Sequence, residues 1–537
     1  MSNSKGIFRE LIDYFTAELD KTLKDHIESA LGYKGLSKTI QNEFLDAMLR
    51  VYHQQVGNEM KKTDYVAVIA DETTDVSNQF QLVLVFRYIV DGRPVERFWK
   101  FLLPSGHDSN GISACILNEI SLLVDDPEKL IAQSYDGAAV MSGAINGVHK
   151  HVQERYPRAN FVHCYAHQAN LIMSHATSSN SDCRIIFANL TGLCTLFSTS
   201  PQRAARLEEF LHKKGLPSSS KIKRNFNSST VNAVYEHREE IIGALEKIER
   251  EATFQITIQQ AGAHLRILEA ESFIYWLTFF HKIMPHVDIL FNQLQKVTTD
   301  ALKIHNNIGD FERAIGKIRS EIGNTETQPV DQNNSELTPP PSKRRRTADK
   351  SERRKQSIEV CDSILLEIKT RFQFIGHLIL SKLVSFNQFP LFEKEFPEDF
   401  LKEAIKFYPC LNGGRLRTEL SVLYAREEFR QSSETNAVGL LGLLQDGLSN
   451  SFHEVIKLLK IIITIPMTTS EAERQFSRLK RIKTFLRNTM KEDRLNALTM
   501  LSCEKEFIND FPNFNEKVIE LFCTLKTRKM DFIYRQL

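Results

Sequence analysis

The chain has 537 residues, 42% of them apolar and 25% charged, which suffices for two or more packed cores and excludes a compositionally disordered protein. Its 69 basic and 67 acidic residues leave a formal charge of only +2, so any contact with nucleic acid has to come from local basic clusters and not from a global field. The longest apolar runs, such as 461–465, fall far short of the ~20 residues that cross a bilayer, so no membrane partner is expected. The start of the chain lacks the basic-then-apolar order of a signal peptide, and eight scattered cysteines without a CxxC pair fit reduced thiols in the cytosol or nucleus. No zinc site is evident.

In chain order, the first 60 or so residues read as helices, with Phe8, Leu11, Ile12 and Phe15, and then Phe44, Met48 and Val51, at helical spacing. From residue 64 the period changes. YVAVIAD is a short apolar run ending in acid, QLVLVFRYIV is β-branched and aromatic, Asp91-Gly92 is a hairpin turn, and VERFWKFLL alternates. A helix over 112–124, a strand in LIAQSYDG, a helix over 144–155, a strand in NFVHCY and a helix over 167–175 follow. The order is βββαβαβα, and a right-handed crossover should bring the fourth strand parallel to the first. Beyond about 181 the pattern is helical, interrupted by a polar, proline-ending stretch at 323–342 that argues for a flexible loop. Trp276, in FIYWLTFF, is apolar-flanked around most of its helix and reads as core.

Asp71 ends the first strand in this reading and Asp136 the fourth, so parallel neighbours would project both carboxylates from one sheet edge. Hard divalent cations take oxygen ligands, and two-metal phosphoryl transfer needs carboxylates converging from several elements. Structural readings stand beside this one. Aspartate is common at strand ends, and Asp136-Gly137 is itself a turn signal. Glu473 is the candidate third acid, yet SEAE over 470–473 is also a capping box in which Glu473 would bond back to the backbone of Ser470. Residue physics leaves cap and ligand both open.

Three separated stretches decide the resemblance: ADETTDVSNQFQLVLVFRY; QSYDGAAVMSGAINGVHKHV followed by FVHCYAHQANL; and SEAERQFSRLKRIKTFLRNTMKEDRLNALTMLS. In this order they resemble hAT-family transposases, in particular the group related to MYM-type and TTF-type zinc-finger proteins that ends in a hAT dimerisation region. The similarity spans about 64–503, strongly at its two ends and weakly between. It implies an α/β plus α fold, a ribonuclease H-like core interrupted by a large all-helical insertion and completed by C-terminal helices. The expected divisions are a helical lead-in at 1–62, the first part of the core at 63–180, the insertion at 181–450 with a disordered loop about 323–356, and the C-terminal core helix with the dimerisation region at 451–537.

By the same resemblance Asp71, Asp136 and Glu473 are the catalytic and metal-binding acids, with Glu471 ranked second to Glu473. They would hold Mg²⁺ or Mn²⁺ for hydrolysis and strand transfer at DNA phosphodiesters, with water or a 3′-hydroxyl as nucleophile and no covalent enzyme intermediate. His167 of the CxxH in HCYAH is expected to assist phosphate placement; Cys164 and His167 are not read as zinc ligands, since two further ligands at structural spacing are lacking.

The sequence departs from the family at RNFNSST, where Phe226 stands at the expected tryptophan and Asn225 at the expected arginine. Base stacking on Phe226, with Arg224 nearby, would persist more weakly while the phosphate contact of the arginine is lost. An N-terminal zinc-finger DNA-binding module, usual in these transposases, is not legible either. The run Lys343, Arg344, Arg345 and Arg346 is expected to be exposed and to direct nuclear import, against the alternative of a solvated charge run. Phe476, Leu479 and Leu486 form the apolar stripe of an amphipathic C-terminal helix, expected both to close the core and to support a homodimer or higher oligomer. Two functions follow from these residues: a D-D-E DNA transposase, or a non-cutting relative acting as a dimeric nuclear DNA- or chromatin-binding or protein-interaction factor.

Overall fold

The computed structural model describes residues 35–213, 228–324, 341–372, 376–430, 436–484, 487 and 489–526, together with 10, 12–14, 16 and 21–29. The chain separates into two compact units, one formed by 1–162 and 463–537, the other by 163–462.

The first unit is built on a mixed five-stranded sheet in the order β3-β2-β1-β4-β5, with β1 Val66–Thr74, β2 Phe80–Val90, β3 Arg93–Leu102, β4 Leu130–Tyr135 and β5 Asn160–His163. Strands β1, β2 and β3 form the expected antiparallel meander. Val90 pairs with Arg93 across the two-residue Asp91-Gly92 loop, and both loop residues have positive φ, 48° and 75°, as the twist-compatible hairpin turn requires. The central strand β1 is buried from Val66 to Ala70, a continuous apolar run that fits a strand covered on both faces. β4 lies parallel to β1, as the crossover rule anticipates.

Segments from both ends of the sequence cover this sheet. The helix Lys38–Lys62 is fixed to β3 by Tyr52, whose hydroxyl donates to the carbonyl of Phe98 at 2.6 Å. The helix Ser470–Ile482 packs on β1 and β2, and the helix Glu492–Cys503 on β3. β3 is an edge strand, and its outward polar groups are met by side chains. Asn496 accepts from the Phe101 N–H at 2.7 Å and donates to the Phe101 carbonyl at 3.2 Å, while Glu504 accepts from the Phe98 N–H at 2.9 Å. An amide side chain has one donor and one acceptor face, so Asn496 imitates a neighbouring strand residue.

Among its described residues the second unit is helical. The helix Tyr165–Ser178 belongs to it, not to the sheet unit as expected, because it packs along the helix Pro341–Arg371 and stacks Tyr165 on Phe372 at 5.4 Å. Trp276 is buried on the helix Glu271–Leu294 among Tyr275, Phe279 and Phe280, in keeping with its reading as core. The buried carboxylate of Glu419 accepts from the N–H groups of Glu454 and Val455 at 2.7 and 2.9 Å, a negative charge at the positive end of the helix His453–Thr464. That helix takes up the β-branched run at 455–464.

Candidate active site

Asp71 does not end β1 as the sequence suggests; it lies inside it and pairs across to Val83 on β2. On the other side the parallel register matches Ile69 with Ser134. Two residues further along each strand stand Asp71 and Asp136, and since side chains alternate with period two, both fall on the same face at the same level. Asp136 follows the last residue of β4. Its Oδ1 accepts from the Ala138 N–H at 3.1 Å, so the turn that the Asp-Gly pair signals is present and holds the carboxylate in place.

The backbone after this turn is tight. A Cβ on Gly147 would meet the backbone nitrogen and oxygen of Gly143 at 2.6 Å, so the GAING loop needs glycine there to pass from Asp136 into the helix Val148–Arg155.

Glu473 is in the first turn of the helix Ser470–Ile482, which packs on β1 and β2. The N-cap of that helix is Thr469, with no side-chain cap bond, and the Glu473 N–H bonds to the Thr469 carbonyl at 3.1 Å. Glu473 therefore sits one position past N3, and the capping box is not formed. The two glutamates of this turn then diverge. Glu471 is engaged by Arg474 at 2.6 Å, by Arg478 at 3.0 Å and by Gln475 at 2.6 Å, and its charge acts on Glu96, Cys503 and Glu504. Glu473 is exposed, and its charge acts on Asp71.

The electrostatics follow. Burial, together with the negative charges of Asp136, Glu473 and Glu72, pushes the Asp71 carboxyl up to about 8, against one N–H from Glu72 at 2.9 Å that favours its ionised form. Glu72, the next residue, is raised by its own burial and by Asp136, with His107 acting the other way. Glu72 and His107 are members of this acidic edge that the sequence reading did not single out. The acid after Asp71 in DETTD was the signal available.

A donor set made only of carboxylate oxygens suits a hard divalent cation. Among the described residues no three histidine, cysteine or acidic side chains form a closed cage by themselves. Mg²⁺ commonly takes one or two carboxylates and completes its shell with water and substrate phosphate, and an open aspartate pair with a nearby glutamate fits that pattern.

Residues 1–147, which hold Asp71 and Asp136, match the family described as the ZMYM1/FAM200 RNase-like domain. Residues 420–507, which hold Glu473, match the hAT family C-terminal dimerisation region. Over these two stretches the chain is similar to hAT-family transposases and their ZMYM1/FAM200 relatives. Each match supplies part of the acidic edge, and the sheet unit joins them.

The apolar stripe, expected both to close the core and to support an oligomer, closes the core at its described residues. Leu479 is buried in the core of the sheet unit, and Phe476 packs against the same core, its ring 6.4 Å from that of Phe101. Leu486, Phe226 and Arg224 lie outside the described residues. His167 is in the second unit, where its N–H bonds to the Cys164 sulfur at 3.4 Å and that thiol caps the helix Tyr165–Ser178.

Two further corrections concern charge. The run Lys343, Arg344, Arg345 and Arg346 does not belong to the disordered loop expected about 323–356 but to the helix Pro341–Arg371; Pro341 takes the first helical position, where its missing N–H costs nothing, and lysine, arginine, glutamate and alanine favour the helix after it. Lys483, which the sequence sets among the basic residues that cover the rest of the amphipathic helix around its apolar stripe, is buried at 2% exposure and ion-paired at 2.5 Å with Asp75, the last acid of DETTD.

No described helix is long and apolar enough to cross a membrane.

Proposed function

We propose that this protein is a D-D-E nuclease of the hAT transposase type, with a ribonuclease H-like core in which Asp71, Asp136 and Glu473 act together on a DNA phosphodiester. The observation that carries the reading is the level placement of Asp71, within β1, and Asp136, directly after the adjacent parallel strand β4, with the helix of Glu473 packed on β1. A bound Mg²⁺ or Mn²⁺ would supply Lewis-acid stabilisation of the phosphoryl oxygens. The chain's own residues orient the reacting groups. Asp71 presents its oxygens from β1 and Asp136 from the end of β4, where the Asx turn at Ala138 fixes it, and Glu473 approaches from the helix. Phe226, Arg224 and His167 would contact the DNA, and the 420–507 region would carry a homodimer or higher oligomer.

The test incubates purified full-length protein with end-labelled duplex DNA and Mn²⁺, beside Asp136→Asn. Cleavage by the wild type that falls by at least about a hundredfold in the variant, with unchanged sedimentation, is the expected result. A dimer that binds DNA and cuts nothing would replace this with the second reading, a non-cutting nuclear binding factor, which Asn225 and Phe226 in place of the family's Arg-Trp pair favour. Nuclear residence through Lys343–Arg346 is part of the proposal; replacing the four residues by alanine should release a tagged protein to the cytoplasm, and unchanged retention overturns that role.

A further inference from the structure

The acidic edge accounts for Asp71 and Glu473 but leaves an unusual pair unused. Asp75 and Lys483 are 1% and 2% exposed at their side chains and meet at 2.5 Å, although 408 residues separate them. A buried pair is poor value as a stabiliser, because desolvating two charges cancels most of their attraction and apolar residues would do as well. Its presence calls for a positional explanation.

The surroundings supply one. Asp75 is the first residue after β1, and its Oδ1 accepts from the Ser77 N–H at 2.7 Å, the Ser77 hydroxyl at 2.6 Å and the Gln79 N–H at 3.1 Å, which shapes the turn into β2. Its Oδ2 receives Lys483 and the Gln81 amide, the latter at 3.2 Å, and Lys483 also donates to Gln79 Oε1 at 3.3 Å. Lys483 is the C-cap residue of the helix whose first turn carries Glu473. One end of the pair is thus fixed to the strand of Asp71, the other to the helix of Glu473.

The geometry points to Asp75 and Lys483 as positioning residues that set the Glu473 helix against β1 and so fix how the third carboxylate meets Asp71 and Asp136. The inference rests on the divalent-cation reading of that site. Neither residue touches the reacting atoms. The pair works as a pin, and a directional, desolvated ion pair fixes register where apolar packing lets a helix slide.

The test is calorimetric titration of the full-length protein with Mn²⁺ alone, arranged as a mutant cycle. The double variant Asp75→Asn/Lys483→Met removes both charges, so neither is left buried and unpaired, and it should bind Mn²⁺ about tenfold more weakly, the usual scale for residues that orient metal ligands. Glu473→Gln should weaken binding comparably in the wild-type chain but by less than about twofold in the double variant, since an unpinned glutamate has little left to lose. Additive losses, or wild-type affinity in the double variant, overturn the inference. If the double variant fails to fold by near-ultraviolet circular dichroism, Ser77→Ala takes its place in the cycle; it keeps both charges, loosens the grip on Asp75, and should weaken binding by about two- to threefold with the same non-additivity. Absence of Mn²⁺ binding by the wild type overturns the metal reading itself, which separates the two failures.

Discussion

Asp71 and Asp75 share one short motif, yet the protein surrounds them in opposite ways. Around Asp71 it gathers burial and like charge, and the carboxyl rises to about 8. At Asp75 burial also acts to raise the carboxyl, but the hydrogen bonds from Lys483, Ser77 and Gln79 outweigh it and hold the group down at about 2. The first arrangement stores negative charge that only a cation or a proton can relieve. The second relieves it permanently. A binding site and a fastening can therefore be made from the same residue type a turn apart, and what distinguishes them is whether the protein supplies the counter-charge.

The sharpest way to break this contrast is Asp75→Asn, which leaves the Lys483 ammonium buried without its carboxylate. Denaturant unfolding at pH 7 should show a loss of about 3–5 kcal/mol, the scale for orphaning one partner of a buried pair. Because the Asp75 carboxyl is lowered by folding, its contribution is present above its unfolded value near 4 and is lost as pH falls through about 2, so the variant should lose the corresponding part of the wild type's acid limb.

Asp71→Asn should do the reverse. A carboxyl raised by folding contributes stability that is complete below its unfolded value and disappears as pH rises through about 8. Without divalent cation, the variant should therefore gain about 2 kcal/mol over wild type at pH 9, less than the full linkage limit because water reaches a half-buried group, and nothing at pH 3. A destabilised variant at pH 9 would mean that Asp71 is already paired.

The smallest expected effect, about 1 kcal/mol, belongs to Ser77→Ala, which removes one hydroxyl from Asp75 and leaves Lys483 in place. Chemical-shift titration of Asp75 should place its carboxyl higher in this variant. An unmoved value would show that Lys483 alone sets it.

The meander and the fourth and fifth strands were legible because their signals are local: period-two patterning, an Asp-Gly turn, and short apolar runs between turn residues. The placement of Asp71 and Asp136 beside one another at the sheet was legible for the same reason, although strand β1 runs three residues beyond Asp71, to Thr74. Glu473 required the family resemblance. Its local sequence reads equally as a cap, and only the placement of the N-cap at Thr469 separates the two. The Asp75–Lys483 pair was not legible at all: a lysine after an amphipathic helix looks solvated unless the carboxylate waiting for it, some four hundred residues earlier, is known. The Lys343–Arg346 run misled through composition, since a proline-ending polar stretch suggests a loop while the residues after it favour helix.

The amide of Asn496 on the edge of β3 has a consequence for how the chain is made. Phe101 and Asn496 are 395 residues apart, so at a synthesis rate of about 5–20 residues per second the meander leaves the ribosome roughly 20–80 s before the side chain that seals it. Throughout that interval the nascent sheet carries an open edge, with the Phe98 and Phe101 amides unclaimed and the apolar surface destined for Leu479 and Leu495 uncovered. The newborn protein is thus most exposed to aggregation during that interval, and a chain that ends before Asn496 has a sheet that never acquires its seal.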